Sequence, residues 1–181
     1  MAVEIYLARH ATPDWYRTDI PYDIAPGPPL TPQGEREAMA LGEFLHSRSV
    51  QKIYASPLER AHQTGLLAAQ IMDLEVTVSE SIAEWRNDET PALVSARVSP
   101  FWQALCEESE LCGPVCVVTH GGPLGLLLHQ MGLPKDQSKS YMARFDNVIA
   151  PPAGAWLASR QSANVSWELK LMYTPGGLSE L

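Results

Sequence analysis

Residues 114–119, Pro-Val-Cys-Val-Val-Thr, form an unbroken apolar run that ends at His120-Gly121-Gly122. A continuous run of this kind belongs to a strand buried on both faces, as in a parallel sheet lying between two helical layers. The rest of the chain supplies partners in regular alternation. Short apolar segments over 3–8, 52–55 and 75–78 read as strands, and each is followed by a stretch of helical character. Thr31 with Pro32 marks a helix start at N-cap and N1, with apolar or small positions 38, 41, 42 and 45 carrying it to about His46. Ser56, Pro57 and Glu59 have the spacing of a capping box and predict a second helix from there to about Met72. A third is expected over 90–111, broken or kinked at Pro100, and a fourth in Leu-Gly-Leu-Leu-Leu-His-Gln-Met-Gly after His120. Two alternating segments, about 153–160 and 164–172, read as an antiparallel pair at a sheet edge, and the terminal Thr-Pro-Gly-Gly-Leu-Ser-Glu-Leu as a tail without chemistry. The expected fold is α/β: a three-layer α/β/α sandwich, mostly parallel and doubly wound, with an antiparallel edge, in a single domain over residues 1–181.

Ligands of such folds bind outside the carboxyl ends of the strands. Arg9-His10 ends the first strand, Arg60 stands in the first turn after the second, and His120 ends the fourth. Arg60 is at the positive end of its helix dipole, an unfavourable place for a cation unless an anion is near. An arginine beside a histidine disfavours the imidazolium and leaves a neutral nitrogen nucleophile next to a fixed anion receptor. Gly121 and Gly122 let backbone approach a ligand at a helix N-terminus, which favours anions. Four such residues on one rim are poorly explained as surface accidents.

Between the first strand and first helix lies a long segment rich in proline and aromatics, Ala11 to Pro29, without helical or alternating period. Its composition predicts an ordered lid over the rim, with residues 13–29 as the covering part.

The net charge of −8 argues against nucleic acid or an anionic membrane surface as partner. Three cysteines, an odd number without a framework, fit a reducing compartment, and Cys112 with Cys116 make a weak case for a metal. The first residues, Met-Ala-Val-Glu-Ile, lack the pattern of a signal peptide, and a cytoplasmic location is expected.

The blocks around these residues resemble the histidine phosphatase superfamily, the phosphoglycerate-mutase-like fold, in its small phosphatase branch. They are Arg9-His10-Ala11-Thr12-Pro13, Leu30-Thr31-Pro32-Gln33-Gly34, Ser56-Pro57-Leu58-Glu59-Arg60-Ala61-His62-Gln63-Thr64 and Val117-Val118-Thr119-His120-Gly121-Gly122, in family order. The resemblance implies a metal-independent phosphomonoesterase, without cofactor, acting on a small phosphorylated metabolite. His10 would form a phosphohistidine, Arg9, Arg60 and His120 would bind phosphoryl oxygens, and Glu84 would protonate the leaving group, with Glu80, Glu89 and Asp14 as competitors. Ala11 stands where glycine is usual in the family, and Tyr16 where many members carry a phosphate-binding asparagine. These departures move attention to substrate contacts: Trp15, Tyr16, Tyr22 and Trp85 for an organic body, Arg17 and Arg86 for a second anionic group. A protein phosphohistidine phosphatase is the alternative, with an open site; phosphoglycerate mutase and an inactive binding module rank lower.

Overall fold

The computed structural model describes residues 2–177. Its six strands are β1 (Val3–Arg9), β2 (Lys52–Ala55), β3 (Val76–Val78), β4 (Val115–Thr119), β5 (Ala155–Arg160) and β6 (Glu168–Tyr173). They form one sheet in the order β3-β2-β4-β1-β5-β6. The pairs β1–β4, β2–β4 and β2–β3 are parallel, while β1–β5 and β5–β6 are antiparallel. Five α-helices accompany them: α1 (Pro32–Ser47), α2 (Glu59–Met72), α3 (Pro91–Cys112), α4 (Gly121–Gln130) and α5 (Lys135–Arg144).

The strand order makes the layers. The chain moves outward from β1 to β2 and β3, then returns to insert β4 between β2 and β1. Right-handed crossovers running in opposite directions put their helices on opposite faces. Side-chain alternation on β1 records this. Tyr6 and Ala8 pack with Ala38, Leu41, Leu45 and Ala68 of α1 and α2. Val3, Ile5 and Leu7 pack with Val94, Val98, Leu124 and Leu128 of α3 and α4. Every residue of β4 is buried, as its continuous apolar sequence requires.

Thr31 caps α1, its hydroxyl accepting from the Gly34 N–H at 3.0 Å, and Pro32 follows at N1. Gly34 is there for contact: a Cβ would lie 2.2 Å from the Thr12 carbonyl oxygen. The second helix departs from expectation. It begins at Glu59, with Leu58 as an N-cap lacking a side-chain hydrogen bond, so Ser56 and Glu59 form no capping box. The third helix runs unbroken through Pro100. Pro100 and Ala96, whose carbonyl loses its partner, are both exposed, where water replaces the missing bond. Sequence periodicity did not reveal α5, a polar helix burying only Ser138 and Tyr141. The terminal tail from Leu178 onward lies outside the described residues. Among the described residues no helix is long and apolar enough to cross a membrane.

Candidate active site

Adjacent parallel strands bring their carboxyl ends together. Arg9 pairs in register with Thr119, so His10 and His120 leave neighbouring strands side by side, ring centroids 5.2 Å apart. The sheet extends one residue further, because the His10 N–H donates to the Thr119 carbonyl at 2.9 Å. From β2, the first turn of α2 carries Arg60 into the same space. His10, Arg60 and His120 are fully buried.

Protons on the two imidazoles follow from their partners. His10 Nδ1 lies 2.8 Å from the Ala11 carbonyl oxygen, which only accepts. The proton therefore sits on Nδ1, and the Nε2 lone pair faces the cavity. Burial first, then the Arg60 and Arg9 charges, hold the His10 pKa well below its ordinary value. His120 is likewise held neutral by burial, with His10, Arg60 and Arg9 adding to the effect. Its Nε2 is 2.7 Å from the Ser56 hydroxyl. A proton donated by that hydroxyl fixes the tautomer with N–H at Nδ1, directed toward Glu84 Oε2 at 3.7 Å.

Buried donors converge without partners. Arg9 Nη1 donates to the Ala150 carbonyl at 3.0 Å and Arg60 Nη1 to the Tyr22 carbonyl at 2.7 Å. Arg9 Nε, Arg60 Nε and Nη2, and His120 Nδ1 make no hydrogen bond among the described residues. Buried polar groups are almost always satisfied, so such a cluster marks a place built for an acceptor-rich ligand. Burial lowers both guanidinium pKa values, yet arginine stays cationic at neutral pH. The uncapped N-terminus of α4 adds the first-turn N–H groups beside His120.

Glu84 borders this cluster, its carboxylate 3.8 Å from Arg60 Nη2 and accepting the Trp85 N–H at 2.9 Å. Burial raises its pKa against the opposing pull of that amide and the arginines. Its competitors are placed otherwise. Glu89 is bound by the Arg97 guanidinium and held at about 2, while Glu80 is exposed. Asp14 accepts from the Tyr16 N–H within its own loop.

The segment after Ala11 closes at a neck, where Pro13 bridges Leu30 and the Asp14 N–H donates to the Pro29 carbonyl. Its interior folds over the rim. The Tyr22 hydroxyl lies 3.3 Å from His10 Nε2, its ring covers Arg60 at 3.8 Å, and Trp15 stacks on it at 4.8 Å. Burial pushes the Tyr22 phenol up, so it keeps its proton and donates to the lone pair.

Of the residues singled out from sequence, the structure brings together Arg9, His10, Arg60, Glu84 and His120, with Trp15 and Trp85 on the cavity wall. Three it does not. Tyr16 is 94% exposed, Arg17 is exposed and ion-paired with Asp19, and Arg86 points outward to Asp88 and Glu89. All three sit on turns whose direction a linear motif does not encode. Sequence reasoning missed Ser56 as the partner of His120, because the same serine also satisfied a helix-capping pattern.

A neutral imidazole nitrogen beside fixed N–H donors and two guanidinium groups suits a tetrahedral oxyanion. Residues 5–89 match the family model of the histidine phosphatase superfamily (branch 1). Phosphoserine phosphatase 1 of Hydrogenobacter thermophilus is 33% identical over 82 residues, 45% of this chain. That match spans only 38% of the relative's length. Among solved structures, a mycobacterial glucosyl-3-phosphoglycerate phosphatase superposes with a TM-score of 0.74 at 20% identity, covering 94% of this chain and 98% of the other. An Entamoeba histolytica phosphoserine phosphatase gives 0.70 at 19% identity, covering 94% and 97%. The likeness to the histidine phosphatase superfamily thus rests on residues 5–89, just under half of the chain.

Proposed function

We propose that the protein is a phosphomonoesterase that hydrolyses a small phosphorylated metabolite through a phosphohistidine on His10. One observation carries the reading: Nε2 of a neutral His10, covered by the Tyr22 hydroxyl, stands among buried donors of Arg9, Arg60 and His120 that make no hydrogen bond among the described residues. Two kinds of relative, a phosphoserine phosphatase and a glucosyl-3-phosphoglycerate phosphatase, support the same reading, while others are named probable phosphoglycerate mutase and putative phosphohistidine phosphatase.

In the first step His10 Nε2 attacks phosphorus in line, and the bond to the ester oxygen breaks. Arg9, Arg60 and the His120 Nδ1–H hold the three equatorial oxygens, where charge spreads in a loose transition state. The arginines supply positive charge there, so the step uses no metal ion. Glu84, whose raised pKa favours the acid form, gives its proton to the departing alkoxide. In the second step Glu84 takes that proton back from water, which attacks the phosphohistidine and releases inorganic phosphate and neutral His10. An ordered lid over the rim favours a small molecule over a phosphorylated protein side chain, which needs an open approach.

Rapid quench with a chromogenic phosphoester, followed by intact mass measured without acid, tests the proposal. A single phosphoryl adduct that disappears in His10→Ala is expected. Turnover undiminished by that substitution overturns it.

A further inference from the structure

Arg9, His10 and Glu84 line a cavity of about 600 Å³, with Arg60 and His120 buried next to them, and most of the remaining wall is of a different character. Apolar wall comes from Trp15, Trp85, Leu126, Met142, Val148 and Ile149. Among the described lining residues Arg9 is the one arginine or lysine, and it belongs to the phosphoryl end. The cations that the sequence offers for a second anionic group, Arg17 and Arg86, face solvent and their own carboxylate partners. A carboxylate or second phosphate placed here would lose its water and gain no counter-charge.

One glycine of α4 adds an independent observation. Gly121 and Gly122 are explained by contact: a Cβ on the first would lie 2.4 Å from Val148 Cγ1, and on the second 3.0 Å from Glu84 Oε1. A Cβ on Gly125 would meet no atom within 4 Å, although Gly125 lies inside the helix and lines the cavity. Glycine weakens a helix interior, and packing here does not require it. What it preserves is space in the cavity. The same helix carries the wall from Gly121 to His129, a rise of roughly 12 Å. At His129 the lining turns polar but uncompensated by fixed charge, with Nε2 2.9 Å from the Ser138 hydroxyl and Asn147 also on the wall.

We infer that the substrate is the phosphate monoester of an alcohol with a bulky, uncharged, aromatic body, seated along α4 over Gly125, and not a phosphorylated hydroxy acid or amino acid. The phosphoryl end of this inference rests on the phosphatase reading; the apolar arm stands on its own walls.

Four primary esters with comparable leaving groups separate the possibilities: 2-(1-naphthyl)ethyl phosphate, ethyl phosphate, O-phosphoserine and 3-phosphoglycerate. The naphthyl ester should exceed the two acids in kcat/KM by about 100-fold or more. Gly125→Leu should cut kcat/KM for the naphthyl ester at least about tenfold, chiefly through KM, and leave ethyl phosphate within about twofold. Its thermal midpoint should equal or exceed that of the unsubstituted protein, since the helix gains and a Cβ there meets no atom within 4 Å. Calorimetry with 2-(1-naphthyl)ethanol reads the arm without turnover: binding is expected, weakened at least about tenfold by Gly125→Leu. Preference for phosphoserine or 3-phosphoglycerate, equal slowing of both neutral esters by Gly125→Leu, or no binding of the alcohol overturns the inference. Binding of the alcohol without hydrolysis of any ester would instead sustain the arm and sink the phosphatase reading.

Discussion

Ser56 shows how one side chain decides the state of another. Its hydroxyl accepts the Leu58 N–H at 3.2 Å, which turns its own proton toward His120 Nε2 and commits His120 to donating from Nδ1. Replacing it with alanine removes one hydrogen bond, a net of about 0.5–1.5 kcal/mol, so Ser56→Ala should lower kcat/KM about 2- to 10-fold, and Ser56→Thr should restore it. Glu84 admits a sharper test. Glu84→Gln cannot donate to an alkoxide, so hydrolysis of alkyl phosphates should fall by about 10²–10⁴, while nitrophenyl phosphate, whose leaving group needs no proton, changes little. Equal slowing of both would make Glu84 structural. At this scale the sequence was informative where chemistry and strand ends coincide, as at Arg9, His10 and His120. It was mute where a loop decides direction: Tyr16 and Arg17 follow Trp15 by one and two positions, yet of the three only Trp15, itself 54% exposed, lines the cavity.

Among the elements, helices with explicit start signals were the most legible. Thr31-Pro32 produced a helix where expected, whereas α5, with neither cap nor apolar stripe, is held by its neighbours and was invisible. The Ala11–Pro29 segment was legible as ordered, from its prolines and aromatics, but not in its internal contacts. Those contacts matter, because Tyr22 takes the His10 lone pair that a phosphoryl group requires and, through its carbonyl, one Arg60 N–H donor. A ligand entering the cluster must displace the phenol first. Tyr22→Phe gives up the hydrogen bond to His10 and should tighten competitive inhibition by inorganic phosphate about 2- to 10-fold. Weaker inhibition in that variant would show that Tyr22 assists the anion instead of excluding it.

For the whole molecule, the burial of two neutral histidines predicts acid sensitivity. The pKa values of His10 and His120 are lower in the folded state than in the unfolded chain. Below about pH 6.5 the unfolded chain therefore takes up protons that the folded protein refuses, and stability falls as pH falls. Each histidine contributes up to about 1.4 kcal/mol per pH unit until its folded pKa is reached. Glu84 acts in the opposite sense: its raised pKa stabilises the folded state at low pH and is a cost once the pH rises through that value. Urea midpoints should be flat from about pH 8 to 6.5 and then drop, and His10→Asn should reduce the slope by about one proton.

The sheet order has a kinetic consequence. His10 and His120 are neighbours in space but 110 positions apart, joined by the β1–β4 pairing, while the segment that matches the family model ends at residue 89, before β4 begins. Nearly two thirds of the chain must be enclosed before the two imidazoles meet, and such non-local parallel pairing is slow to form. Early helical structure in α1 and α2 should thus precede any capacity to turn over substrate. On dilution from denaturant, activity should return together with burial of Trp156, which lies on the strand beside β1, and lag the recovery of helical signal.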